Sequence, residues 1–261
     1  MKTNPGIKAL VLIASLLLLI PISKSWYSFL ARTIFYDELL KYKILTKSTA
    51  AVSECRFSEI ENYSIPKKVH INGIDYTVTC IGNSAFKFCS SLKNIEIPES
   101  TKHNRTFYYC SHLTNIEFPA TIKSIGNSAF KGCTSLNNIK IPAGVISIER
   151  GAFWGCSSLE NIEIPENVTS ISFSVFKNCS SLTNIEIPTN IFSIGFSAFE
   201  NCSNLTSIEI PESVIFIGHS AFAGCNNLNV VIDNSKDSVK IEEDAFKECK
   251  SVRYTRLMVD D

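Results

Sequence analysis

Histidine is scarce in this 261-residue chain, at four copies, and no two of them (His70, His103, His112, His219) stand in H-x-x-x-H spacing. None of the ten cysteines pairs as C-x-x-C, so the short motifs of zinc sites are missing and no metal is expected. No arrangement of His, Asp or Cys recurs that would supply an acid–base pair. The run Gly218-His219-Ser220-Ala221-Phe222 faintly resembles a G-x-S-x-G nucleophile turn, but it lacks the second glycine, and Ser220 falls on the same repeat position as Ser128, Ser174 and Ser197. Neither an enzyme nor a cofactor is expected. An excess of charge is lacking too: 25 basic residues face 25 acidic ones. Setting aside Lys2, Lys8 and Lys24 leaves 25 − 3 = 22 against 25, a net charge near −3. Such a chain has no electrostatic footprint for a phosphate backbone, so nucleic acid is not an expected partner.

A long hydrophobic run is absent as well. Ala9 to Ile20 is apolar apart from Ser15, shorter than the ~20 residues of a spanning helix. Lys2 and Lys8 precede it, and Pro21 and Ser23-Lys24-Ser25 follow, with small residues at the −3 and −1 positions. That is the layout of a secretory signal peptide over residues 1–25. An uncleaved N-terminal anchor is the alternative, supported by the aromatic-rich Trp26-Tyr27-Ser28-Phe29-Leu30. Either arrangement places the rest of the chain outside the cytoplasm, secreted or at the cell surface. No lipobox cysteine follows the apolar run.

What the chain does have is a repeat. Cys89, Cys110, Cys133, Cys156, Cys179, Cys202, Cys225 and Cys249 follow one another at intervals of 21, 23, 23, 23, 23, 23 and 24 residues. Three residues before each stands a phenylalanine (Phe86, Phe107, Phe130, Phe153, Phe176, Phe199, Phe222, Phe246), and three after it a leucine or, at Val252, a valine. The unit reads L-x-x-I-x-I-P-x-x-V-x-x-I-G-x-S-A-F-x-x-C. A period of this length is the mark of a solenoid, in which each unit hides its apolar face only against its neighbours. The N-I-E-I-P segment, for instance Asn161 to Pro165, alternates like a short strand, and proline ends it. In V-x-x-I-G (Val214 to Gly218) two more apolar residues turn inward, and Gly126, Gly195 and Gly218 are expected to permit the turn that follows. The S-A-F-x-x-C segment predicts one short helical or 3-10 turn, N-capped by Ser84, Ser128, Ser174, Ser197 and Ser220. The fold class predicted is a mostly β solenoid of ~23-residue coils, rising about 4.8 Å each, with a β cap at its N-terminus.

The runs IEIPENVTSISFSVFKNCSSLTNIEIP and IEIPESVIFIGHSAFAGCNNLNVV resemble the leucine-rich repeats of the BspA-like family, found in secreted and surface proteins of host-associated bacteria and of some parasitic protists. The stretch YSIPKKVHINGIDYTVTCIGNSAF resembles the β-hairpin with which bacterial members begin their arrays. The resemblance covers about residues 60–252. It implies a leucine-rich repeat solenoid that binds host or neighbouring-cell proteins, in the manner of an adhesin, and it brings no shared catalytic residues.

The expected organisation is a signal or anchor at 1–25, an N-terminal β cap at 26–68, the solenoid at 69–252 and a tail at 253–261. Within the cap, Tyr42 to Leu45 and Ala50 to Cys55 are candidate strands around a Lys47-Ser48-Thr49 turn. A cap is needed because the first coil would otherwise present an open sheet edge. At the other end Asp233 stands where the second strand isoleucine is expected, and Asp237, Lys240, Glu242, Glu243 and Asp244 suggest a polar capping coil. The eight ladder cysteines share one direction, which disfavours disulfide geometry, so they are expected as free, buried thiols. Whether Cys55 and Cys80, outside the ladder, pair with each other stays open.

Three surfaces are candidates for a partner. The outward strand positions stack Asn94, Asn115, Asn138, Asn161 and Asn184 beside Glu96, Glu117, Lys140, Glu163, Glu186 and Glu209: a solvated face, or an acidic one that engages a basic partner. In the C-terminal half Phe192 and Ile215 share one outward position and Phe173 and Phe196 another, with Phe216 close by: a contact patch, or rings stacked for stability. The short coil from Leu92 to Cys110 lacks V-x-x-I-G and carries Lys102, His103, Arg105, Tyr108 and Tyr109, with His112 nearby, a basic and aromatic bulge. Trp154 is a further exposed-aromatic candidate. A protein ligand fits these features, with carbohydrate as a second ligand class and a scaffolding role without specific ligand as the rival. No membrane contact is expected beyond the N-terminal segment.

Overall fold

The computed structural model describes residues 34–36, 40–55, 61–97, 105–234 and 238–255. The expected signal segment 1–25, Lys102 and His103 of the short coil, Asp237 and the last six residues of the tail lie outside the described residues.

The first part folds as a sheet, ordered β1-β2-β3-β6-β5, from β1 (Ile34–Tyr36), β2 (Leu40–Ile44), β3 (Thr49–Cys55), β5 (Lys68–Ile71) and β6 (Ile74–Ile81). The β5–β6 hairpin turns on Asn72-Gly73, both with positive φ (50° and 82°), the backbone that a two-residue turn matched to strand twist requires. β3 pairs in parallel with β6 and antiparallel with β2. The sheet therefore runs through the expected cap boundary at residue 68 and continues into the first coil.

Beyond it, each coil lies on the last in parallel register along two columns. The N-I-E column opens as β4 (Asn62–Ser64), β7 (Asn94–Glu96) and β8 (Asn115–Glu117). It thins to single bridges between Asn138, Asn161 and Asn184, then resumes as β13 (Ser207–Ile210), β15 (Asn229–Ile232) and β17 (Ser251–Tyr254). The second column is made by the two-residue strands β9 (Ser124–Ile125), β10 (Ser147–Ile148), β11 (Ser170–Ile171), β12 (Ser193–Ile194), β14 (Phe216–Ile217) and β16 (Lys240–Ile241). Between the columns a β-turn starts on the proline, whose carbonyl accepts from the residue three further on, as in Val145 N–H to Pro142 O (3.0 Å) and Val168 N–H to Pro165 O (2.9 Å).

The S-A-F-x-x-C segment departs from the expected capped helix. Its amides alternate: Ser128, Phe130 and Gly132 donate to Arg150, Ala152 and Trp154 of the next coil, while Ala129, Lys131 and Cys133 donate three residues back. Two left-handed residues, four apart, make this alternation: Ser128 and Gly132, Ser174 and Asn178, Ser197 and Asn201, Ser220 and Gly224. The serines expected as N-caps therefore occupy the left-handed corner of a turn, because a backbone that sends every second N–H to a neighbouring coil cannot also wind into a helix. The glycines are corrected in the same way. Gly126, Gly195 and Gly218 are not among the positive-φ glycines. Gly195 and Gly218 are instead places of close approach, where a Cβ would lie 2.9 Å from Phe173 N and 2.7 Å from Phe196 N.

The core is one continuous stack. Rings from Phe86 to Phe246 lie on one another with centroids 5.0–5.8 Å apart, and those from Phe86 to Phe222 are at most 1% exposed. The cysteines earn their place by hydrogen bonding: each thiol from Cys110 to Cys249 donates to the carbonyl of the phenylalanine one coil back, at 3.0–3.4 Å. Burial holds these thiols protonated, pushing Cys110 and Cys225 up to about 12 and Cys249 up to about 11.

Near the C-terminal end the register differs from the expected one. Ile210 pairs with Ile232, so Ile232, fully buried, takes the second strand position and Asp233 follows it. Val252 pairs with Val230 inside β17 instead of standing in the leucine column. One residue fewer between Leu228 and its strand moves that coil's pattern by one, and in the last coil the strand valine Val252 follows Cys249 at three residues, where Val230 follows Cys225 at five.

Candidate functional site

Two outward tracks run along the solenoid beside the core. The first is the aromatic flank. Phe173 and Phe196 are 46% and 41% exposed, and their rings stack at 4.9 Å and 7°. Phe216, half-buried, continues the row at 6.1 Å from Phe196. The stack lies this close because Gly195 and Gly218 leave room: a Cβ on Gly195 would come within 2.8 Å of the Phe173 ring. Phe192 and Ile215 sit one strand-step away, and Ile215 N–H donates to Phe192 O (3.0 Å), so the two are neighbours on adjacent coils. Ile146, 59% exposed, occupies the same place in an earlier coil and was not among the expected residues. Phe173 and Phe216 also line an open depression of about 400 Å³ together with Asn127 and Arg150.

The second track is the residue after each core phenylalanine, and here Trp154 gains neighbours that were not foreseen. In successive coils the position holds Lys87, Tyr108, Lys131, Trp154, Lys177 and Glu200. Lys131 Nζ lies 3.3 Å from the centroid of the Trp154 ring and 5.7 Å from that of Tyr108; Lys177 Nζ lies 5.6 Å from Trp154 on its other side. Lys87 Nζ is 5.5 Å from the Tyr108 ring and 4.6 Å from Phe88. Lys177 closes the row with an ion pair to Glu200 (2.6 Å), which, with the Ser197 hydroxyl, holds the Glu200 carboxyl below its usual range against the opposing effect of burial. Burial lowers the pKa of Lys131, and the charges of Arg105, Arg150 and Lys177 lower it further. The alternation of Lys with Tyr or Trp after each core phenylalanine was the sequence signal for this track.

Of the short coil, Arg105 is exposed and Tyr108 and Tyr109 pack edge to face at 4.6 Å. The strand face keeps Glu163, Glu186 and Glu209 exposed. At its N-terminal end the ladder is tied by Asn94 Nδ2 donating to Asn62 Oδ1 (2.6 Å) and Ser64 Oγ donating to Glu96 Oε2 (2.8 Å). Both Cys55 and Cys80 are free thiols. The neighbouring Cys55 thiol, together with burial, suppresses ionisation of the Cys89 thiol. Cys89 heads the ladder and so has no phenylalanine carbonyl one coil back. Among the described residues no three His, Cys, Asp or Glu side chains gather as a metal site.

Parallel coils, a buried Phe–Cys–Leu stack and strands of two to four residues define a leucine-rich repeat solenoid. The chain matches the BspA type Leucine rich repeat region in 6 copies, over residues 59–104 and 101–229. It belongs to that family. No curated protein matches it. Among solved structures it is similar to a leucine rich cell surface protein from Faecalibacterium prausnitzii A2-165, with 29% identity, a TM-score of 0.69 and coverage of 77% of this chain. It spans only 55% of that protein's length. It is also similar to a leucine-rich repeat protein from Bacteroides ovatus (25% identity, TM-score 0.56, 84% of this chain and 70% of that one). A third is the T. pallidum Leucine Rich Repeat protein (26% identity, TM-score 0.53, 79% and 85%).

Proposed function

We propose that this chain is a non-enzymatic interaction module, secreted or held at the cell surface, which docks a partner protein of a host or neighbouring cell through the flank of Phe173, Phe196, Phe192 and Ile215. The observation that carries this is the exposure of stacked rings above a glycine floor. Apolar side chains scattered singly over a surface need no explanation, whereas a contiguous row marks a contact site. Aromatic rings are also the side chains that most often anchor protein interfaces. Likeness to a cell surface protein supports the location, and the signal-like N-terminal sequence agrees with it.

The test is an affinity capture with the full chain against matrix and surface proteins, run beside Phe173→Ser/Phe196→Ser. A saturable partner that the double variant loses, with its melting temperature lowered by no more than a few degrees, is the expected outcome. Equal capture by both proteins, or self-association alone, would overturn the assignment to this flank.

A further inference from the structure

We infer that the row running from Lys87 to Lys177 is a binding track for a linear anionic polysaccharide carrying sulfate or carboxylate groups. It is a different surface from the aromatic flank and does not depend on that reading.

Three observations carry the inference. Cations and rings alternate strictly, coil by coil, and every cation in the row lies against an aromatic ring (3.3–5.7 Å). Charge balance is missing where the row is densest: among the described residues Lys87, Lys131 and the neighbouring Arg105 form no ion pair with a carboxylate, and the only acid paired within the row is Glu200, at its far end. Like charges gathered around Lys131 carry a repulsive cost that a bound anion removes. Finally, two bulky side chains beside the row, Phe88 and Tyr109, hold left-handed backbone (φ 62° and 58°) where later coils place Gly132, Gly155 and Asn178. Such conformations are costly for bulky residues and gather at ligand-binding places. Both rings are exposed, at 56% and 43%.

Spacing selects the partner. Cations recur on every second coil, about 10 Å apart at ~4.8 Å per coil, with a ring between them. A polysaccharide chain whose disaccharides each carry sulfate or carboxylate groups repeats its charge over a similar span and offers sugar faces to the intervening rings. An extended peptide repeats same-side groups every ~6.8 Å and falls out of step after one coil.

Trp26→Phe leaves Trp154 as the single tryptophan of the full chain, so its emission reports on the track. Titration with heparin is expected to give a saturable change in that emission, weakened about tenfold or more between roughly 0.1 and 0.5 M salt as charges are screened. Lys87→Gln/Lys131→Gln, which breaks no ion pair, is expected to weaken binding about tenfold at an unchanged melting temperature; Lys131→Arg is expected to keep it. An absent or non-saturable signal, binding unchanged in the Gln variant, or tighter binding of poly-glutamate or oligo-dT than of heparin would overturn the proposal.

Discussion

The buried column of phenylalanines and the exposed pair Phe173–Phe196 are stacked alike, at 5.0–5.8 Å and 4.9 Å, in the same coils and on the same period. What separates them is their surroundings. A core ring such as Phe153 is fully buried and accompanied by the cysteine ladder, so its loss opens a cavity. The exposed pair rests on glycine and backbone with one face in water. Solenoid geometry thus makes any repeated aromatic stack, and stacking by itself does not distinguish a stabilising column from a contact surface.

The largest way to probe the contrast is alkali, which should act on the core column alone. Cys133, Cys156, Cys179 and Cys202 are held protonated in the fold, their pKa raised chiefly by burial. A raised folded pKa gives stability that is complete below the unfolded thiol value and is lost as pH rises past it. Each such thiol then contributes a loss of about 1.4 kcal/mol per pH unit above roughly pH 8.5–9. Melting temperature is therefore expected to hold to about pH 8 and fall steeply by about pH 10, and a flat profile would count against the buried ladder.

Next in size, Phe153→Ala should cost about 3–5 kcal/mol in urea denaturation; a negligible change would sink the column. Gly218→Ala is expected to cost about 1–3 kcal/mol through overpacking, since the new methyl meets both the ring and the backbone nitrogen of Phe196. Adding Phe196→Ser should restore only part of that, because the backbone contact remains. Smallest is Phe173→Ser/Phe196→Ser, expected to cost about 0.5–1.5 kcal/mol, the worth of one aromatic pair. A loss as large as that of Phe153→Ala would make the pair structural and remove the basis for docking there.

The core was legible in the sequence because a buried position repeats its residue: Phe, Cys and Leu return every coil, and the structure buries them together. The backbone of the turn was not, since its left-handed corners hold residues as different as Arg105, Ser128 and Gly151. The amide of each donates to a carbonyl of the next coil, which fixes its conformation. The C-terminal register escaped because a one-residue deletion after Leu228 leaves composition unchanged while moving Ile232 inward. The aromatic flank was visible as two outward positions, but the glycine floor that lets its rings lie flat belongs to the neighbouring coil and only folding brings it there.

Every second amide of the turn segment donates to the next coil, along the solenoid axis, as do the bonds of both strand columns. Tension applied along that axis would load these bonds end-on, one layer at a time, in the manner of a zipper. Coils would peel singly from an end, each releasing about 80 Å of chain at ~3.5 Å per residue. A tether built this way lengthens in nearly equal steps under a pull and leaves the remaining layers packed.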